Sequence, residues 1–267
     1  MIATRNFTKY RHKHAGQGII VLSIGKSGRT WLRVLLNKFL SLHYNIPFEL
    51  GDLSKHSAAM PSIGYDHELW KHFSEATIGE RIRGKYLISR GTLFTKKVIL
   101  LYRDPRDVVV SLYFQKTKRS QRKIAVSISD FLRHKKFGIR NIIRVMNEWK
   151  MRLNNHPHCL WLSYEGLKAD TAAELAKILD FMGMRSDEDL LIREAVEFSK
   201  FENMKKMEAQ GDFKKRSLKP GDPKDANSFK VREGKVGGYE RHFSEEDLAY
   251  INQAMLSLDP FYGYKTE

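Results

Sequence analysis

Residues 23–36 read SIGKSGRTWLRVLL, a run in which Gly25, Lys26, Ser27, Gly28, Arg29 and Thr30 separate the apolar residues 19–22 from an apolar helical stretch. A loop that leaves a parallel strand and opens a helix carries unpaired backbone N–H groups and the positive end of the helix dipole. That combination suits a phosphate. Gly25 and Gly28 let the backbone approach closely, Lys26 and Arg29 add charge, and Ser27 and Thr30 add hydroxyl donors. Trp31 offers an aromatic face for a base. The triphosphate-binding order G-x-x-x-x-G-K-[ST] is not met, because Lys26 precedes the second glycine. The loop is therefore read as an anion site that does not hold ATP in the usual manner.

The elements that must position this loop alternate. Residues 18–24 read as a buried parallel strand, and Trp31, Leu32, Leu35, Leu36, Phe39 and Leu40 recur at helical spacing. Residues 45–61 read as loop and 62–65 as a short strand. KVILLY, 97–102, is the clearest further strand, with Pro105 suited to the first turn of the next helix. Residues 116–128 read as a basic, mobile loop, and a helix is expected over 137–153. CLWLSY, 159–164, reads as a strand, followed by helices over 171–182 and 187–198. Residues 211–238 are Gly-, Pro- and Lys-rich without periodicity and read as a long functional loop. A helix is expected from Ser244. Strands alternating with helices imply one α/β domain over residues 1–267, a central parallel sheet flanked by helices on both faces.

The chain has 267 residues, 42% hydrophobic, enough for a full core, and a single cysteine, Cys159. One cysteine excludes an internal disulfide framework and argues against a cysteine-based zinc site; Cys159 reads as a small buried hydrophobe. No stretch approaches the roughly 18 apolar residues of a membrane span. Residues 1–14 are basic without an apolar centre, so they do not read as a secretory signal but as a loose surface arm, 1–16, and a cytoplasmic setting is expected. The formal net charge is +16. It is concentrated in residues 113–152, where twelve Lys and Arg face only Asp130 and Glu148. A field of that sign favours anionic partners.

Three segments resemble the sulfotransferase family, whose members use 3′-phosphoadenosine-5′-phosphosulfate. KSGRTWL is similar to the family's 5′-phosphosulfate loop, PKSGTTWL, with Gly25 for Pro and Arg29 for Thr. The family's 3′-phosphate motif pairs an Arg at a strand end with a Ser eight positions later; Arg103 and Ser111 in LLYRDPRDVVVSLYF resemble it. An Arg also offers a planar fork for phosphate whatever the family. VREGKVGGYERHF, 231–243, resembles R-K-G-x-x-G-D-W-x-x-x-F through Arg232, Gly234, Gly237 and Phe243, with Glu233 in place of Lys. Tyr164 resembles the adenine-side tyrosine, and Ser199 and Phe201 resemble residues flanking the base. The resemblance implies a P-loop-like nucleotide-binding fold, a sulfuryl donor leaving as adenosine 3′,5′-bisphosphate, and no metal.

Sulfuryl transfer to a hydroxyl needs a base, and a histidine is the usual choice. His67, at the end of a short apolar run, is the leading candidate, with His56, His72, Asp66 and Glu68 as alternatives. Lys26 would neutralise the leaving phosphate oxygen. The acceptor is left as a small molecule, lipid or glycan. Two rivals stand beside this reading: a nucleotide kinase with a divergent loop, needing Asp104 as a magnesium ligand, and a basic nucleic-acid or anionic-surface binder, whose affinity would fall steeply with salt.

Overall fold

Four parallel strands form one sheet in the order β2-β1-β3-β4: β1 (Ile19–Ser23), β2 (Ile63–Asp66), β3 (Lys97–Tyr102) and β4 (Cys159–Ser163). The computed structural model describes residues 10–120, 122–184, 187–211, 222, 225, 228–230 and 234–265. The register aligns the carboxyl ends of the strands. Leu22 lies beside Asp66 and Leu100, Ser23 beside Leu101, and Tyr102 beside Ser163. The residues that follow each strand therefore leave the sheet along one edge, with β1 and β3 flanking the point where the strand order reverses. Open parallel sheets bind ligands at such a point.

Alternation within the strands builds two cores. Ile20, Leu22, Val98 and Leu100 face one side, and Ile19, Val21, Ile99, Leu101 and Leu162 the other. The principal helices are α1 (Arg29–His43), α2 (Glu68–Ser74), α3 (Pro105–Phe114), α4 (Ile139–Leu153), α5 (Tyr164–Ala169), α6 (Thr171–Met182), α7 (Asp189–Phe198), α8 (Phe201–Gln210) and α9 (Glu245–Met255). Helices α2, α3, α4 and α9 cover the first core, and α1, α6 and α7 the second. This is the expected α/β arrangement, with helices on both faces.

Several boundaries depart from expectation for local reasons. The last strand stops at Ser163, whose hydroxyl accepts from the Gly166 N–H at 3.0 Å and starts α5, so Tyr164 opens a helix. Residues 115–119 are not loop but a π-helical continuation of α3, and a short helix, Ile128–Arg133, follows, capped by Ser127. Cys159 is only half-buried; burial still pushes its thiol up to about 12. Residues 10–14 are not a loose arm. Tyr10, Lys13 and His14 close on the buried Asp66 at 3.0, 2.6 and 2.9 Å.

A second buried acid shapes the same face. Glu68 accepts from Arg152 Nη1 and from the Ile88 N–H, each at 2.8 Å, while Arg152 Nη2 donates to the Ile88 carbonyl. Burial, only partly opposed by Arg152, raises the Glu68 carboxyl. Removing one partner strands the other, so Arg152→Met is expected to lower unfolding stability by about 3–5 kcal/mol. Glu68→Gln on that background should restore most of the loss. Urea unfolding of the two variants checks both outcomes.

Candidate active site

A single cavity of about 1330 Å³ opens along the carboxyl edge of the sheet. Its wall brings together Lys26, Gly28, Arg29, Thr30 and Trp31 after β1, His67 after β2, Arg103 and Ser111 around β3 and α3, and Tyr164 after β4. Ser199, Phe201 and Gly234 complete it from the far side. Ser27 is buried within the loop beneath. Arg232 and Glu233 lie outside the described residues.

The loop after β1 is shaped as an anion cradle. Lys26 and Gly28 both take left-handed backbone angles, φ 80° and 92°, a local cost of about 1–2 kcal/mol for a side-chain-bearing residue. Successive N–H groups in such a turn converge on one point. Gly28 caps α1 with no side-chain hydrogen bond, which leaves the first amides of that helix to the cavity. A Cβ at Gly28 would lie 2.6 Å from Tyr164 Cδ2, so only glycine lets the tyrosine ring close over the loop. Trp31 meets that ring edge-on at 5.7 Å. Phe201 packs as tightly on Gly234, at 2.6 Å from a notional Cβ.

Arg103 joins these pieces. Its guanidinium donates to the Lys26 carbonyl at 3.4 Å, to Asp107 at 3.1 Å and to the Lys235 carbonyl at 2.7 Å, and lies 4.2 Å over the Tyr164 ring. Asp107 in turn accepts from the Gly237 N–H at 3.0 Å. Among the described residues, Ser27 Oγ and Arg103 Nε are buried without hydrogen-bond partners. Orphaned donors in a cationic cradle fit a bound phosphate or sulfate group.

His67 sits just before α2, with its Nδ1 2.6 Å from the Ser23 carbonyl. A carbonyl only accepts, so Nδ1 carries the proton, and in the neutral ring Nε2 keeps its lone pair. Burial first, then the neighbouring Arg29, lowers the ring to about 3. The alternative bases are committed elsewhere. His56 pairs with Glu49 at 3.0 Å, and His72 Nδ1 donates to the Lys85 carbonyl at 2.8 Å. Glu68 is bound by Arg152. Asp66 is held by the amino-terminal residues and accepts from the His67 N–H at 2.7 Å. Burial opposes ionisation of Asp66, but hydrogen bonds from His14 and Lys13 overcome it and hold the carboxyl well below its ordinary range. Of the five candidates, all described, His67 is the one on the cavity wall.

The sulfotransferase domain model matches residues 17–258. The chain belongs to that family. Cytosolic sulfotransferase 17 of Arabidopsis thaliana is 30% identical over 168 residues, 60% of this chain and 48% of that protein. The 3-beta-hydroxysteroid sulfotransferase of Cavia porcellus is 31% identical over 55% of this chain and 50% of its own length. The chain thus spans about half the length of these relatives. Two solved structures share the fold: mouse sulfotransferase SULT7A1 complexed with PAP (TM-score 0.60, 18% identity, 95% of this chain and 90% of that one) and retinol dehydratase in complex with androsterone and inactive cofactor PAP (TM-score 0.67, 17% identity, 94% and 84%).

The sequence missed part of this sulfotransferase-family site. Lys230, from the 211–238 stretch whose sequence has no periodicity, lines the cavity, where burial and then Lys26, Arg119 and Arg29 push its ammonium well below the ordinary lysine range. Its backbone N–H donates to the buried Glu208, which also lies 3.7 Å from Arg119. Partial burial and then the neighbouring Arg33 lower the half-buried Arg29 to about 10. Such clustering of cations signals a missing anion. Part of the 113–152 charge, by contrast, is engaged within the fold. Arg133 bonds Asp247, Arg140 bonds Tyr250, Arg144 stacks on Phe73 and Arg152 holds Glu68.

For His67 the folded value lies below the free value of 6.5. Folding therefore favours the neutral ring; the stability this contributes is complete above the free value and is lost as pH falls towards 3. In the free protein the His67 ring, followed by nuclear magnetic resonance, is expected to stay neutral across about pH 5–8. A midpoint near the free value would contradict the buried neutral ring.

Proposed function

We propose that this protein moves a sulfuryl group from 3′-phosphoadenosine-5′-phosphosulfate to a hydroxyl or amine of a small-molecule acceptor. One observation carries the reading: the cradle after β1, the Arg103 junction and a neutral His67 share one cavity wall. The loop amides with Lys26, Ser27, Arg29 and Thr30 would hold the 5′ end, and Arg103 with Ser111 the 3′-phosphate. Trp31, Tyr164, Ser199 and Phe201 would frame the base. The relatives, a cytosolic sulfotransferase among them, and the neighbours solved with PAP and with androsterone support the donor, a small acceptor and a cytoplasmic setting.

The donor supplies the sulfuryl group and departs as adenosine 3′,5′-bisphosphate. His67 Nε2 takes the acceptor's proton as the new bond to sulfur forms. The Ser23 carbonyl keeps the opposite nitrogen protonated, so the lone pair needs no prior deprotonation at neutral pH. Lys26 and Arg29 present fixed positive charge where negative charge gathers on the departing oxygen, which is most effective in a water-poor site. Positioning and charge together replace covalent chemistry by the protein.

The kinase alternative fares less well on a specific observation. Asp104 caps α3 through the Arg106 N–H at 2.8 Å and pairs with the Arg106 guanidinium, which also reaches Tyr239. That carboxylate is occupied by its own helix.

Incubation with 35S-labelled donor and a panel of phenols, sterols, lipids and glycans tests the reading directly. Transfer is expected to at least one acceptor. His67→Ala should lose about 10²–10⁴-fold in turnover while still binding adenosine 3′,5′-bisphosphate. Lys26→Ala should lose about 10²–10³-fold. A His67→Ala enzyme of near-normal rate would remove the histidine from the chemistry.

A further inference from the structure

The cavity holds more positive charge than the donor can neutralise. Its wall carries eleven lysines and arginines against three carboxylates, counted over the described residues. One of the three, Asp107, is already paired with Arg103. A phosphate and a phosphosulfate together bring about four negative charges. The excess is not spread evenly. Lys26, Arg29, Arg103, Arg119 and Lys230 gather about the cradle. A second group, Lys71, Lys116 and Lys123, stands on the side of His67.

Adjacency locates this second group. Lys71 lies one helical turn beyond His67, on α2, close enough to depress the His67 ring further. Trp70, next to it, is on the cavity wall and its ring centre is 6.5 Å from that of Phe137. Lys116 Nζ stands 4.3 Å over Phe137. The Ile124 N–H donates to the Lys116 carbonyl at 3.3 Å and so brings Lys123 beside it. Val110 and Leu112 add apolar wall between α3 and this group. Two acids stand on this side: Glu75, exposed and one turn beyond Lys71, and the buried Asp66, whose carboxylate Lys71 helps to stabilise but which Tyr10, Lys13 and His14 already hold. Lys71 makes a long contact, 3.5 Å, to the Tyr10 hydroxyl and stands 5.9 Å over that ring.

An apolar wall ending in lysines has a chemical complement. We propose that the acceptor is an amphipathic anion, an aromatic or apolar body with the nucleophilic hydroxyl at the His67 end and a carboxylate, sulfate or phosphate at the Lys71–Lys116–Lys123 end. The inference rests on the sulfotransfer reading and names the class of acceptor for that site. The apolar body lies along Trp70, Val110 and Leu112. The lysines hold the distal anion and so orient the hydroxyl towards His67. Lys71 and Lys116 are partly buried and Lys123 is exposed, so a neutral acceptor would lie against ammonium groups to which it offers no charge-assisted hydrogen bond.

Two fluorescent probes that differ by one sulfonate isolate this charge: 8-anilinonaphthalene-1-sulfonate and its neutral parent N-phenyl-1-naphthylamine. Both are titrated into the protein saturated with adenosine 3′,5′-bisphosphate, so that the sulfonate cannot occupy the donor cradle. The sulfonate is expected to bind about tenfold more tightly than the neutral probe, and added salt should narrow the gap. Lys71→Met with Lys116→Met should close most of it, while the melting shift given by the bisphosphate persists. Equal affinities, failure of both probes to bind, or a preference that survives the double substitution would overturn the proposal. Absence of any melting shift with the bisphosphate would instead strike the donor reading, a result the probe titration does not produce by itself.

Discussion

Four parts of the chain meet on one guanidinium. Arg103 bonds the loop after β1 through the Lys26 carbonyl, its own helix through Asp107 and the carboxyl-terminal segment through the Lys235 carbonyl, and it covers the ring that follows β4. These parts are far apart in sequence, and only the aligned register of the four strands delivers them to one edge. Arginine alone among the side chains has enough fixed donors to hold them together and still leave Nε for a ligand. The cradle, the Tyr164 ring and the segment at Lys235 are tied together at this junction.

A second constraint sets the side of the cavity on which His67 stands. Asp66 ends β2 in a buried position and would be unstable there alone. Three amino-terminal groups close on it, and its remaining valence accepts the His67 N–H. The histidine is thus fixed twice, by its backbone to Asp66 and by its ring to the Ser23 carbonyl. A segment remote from the cavity in sequence therefore helps to hold the orientation of the imidazole within it.

The legible parts of this molecule were those governed by local rules. The β1–loop–α1 passage shows in the sequence because small and basic residues at a strand-to-helix junction have few other uses, and the start of α3 because Pro105 suits a first helical turn. The family resemblance added Arg103, Ser111, Tyr164, Ser199 and Phe201, all of which line the cavity. What stayed hidden depends on partners distant in the chain. No local pattern distinguishes Asp66 as an anchor from Asp66 as a base; the choice is made by Lys13 and His14, more than fifty residues away. Glu68 is likewise decided by Arg152, and within the basic 113–152 stretch Arg133 and Arg152 are held by acids while Arg140 and Arg144 lie on rings of α9 and α2. Lys230 lay in a stretch without periodicity, where sequence offers no direction for a side chain.

The central claim is that the carboxyl edge of this sheet recognises two anionic groups on one nucleotide, one at the cradle and one at Arg103. Calorimetric titration with adenosine 3′,5′-bisphosphate and with adenosine 5′-monophosphate tests it most directly. A charge-assisted phosphate contact of about 1.5–3 kcal/mol implies that the bisphosphate binds roughly tenfold to a hundredfold more tightly than the monophosphate. Equal affinities for the two nucleotides would mean that Arg103 is a structural junction only, and the account of the site would fail.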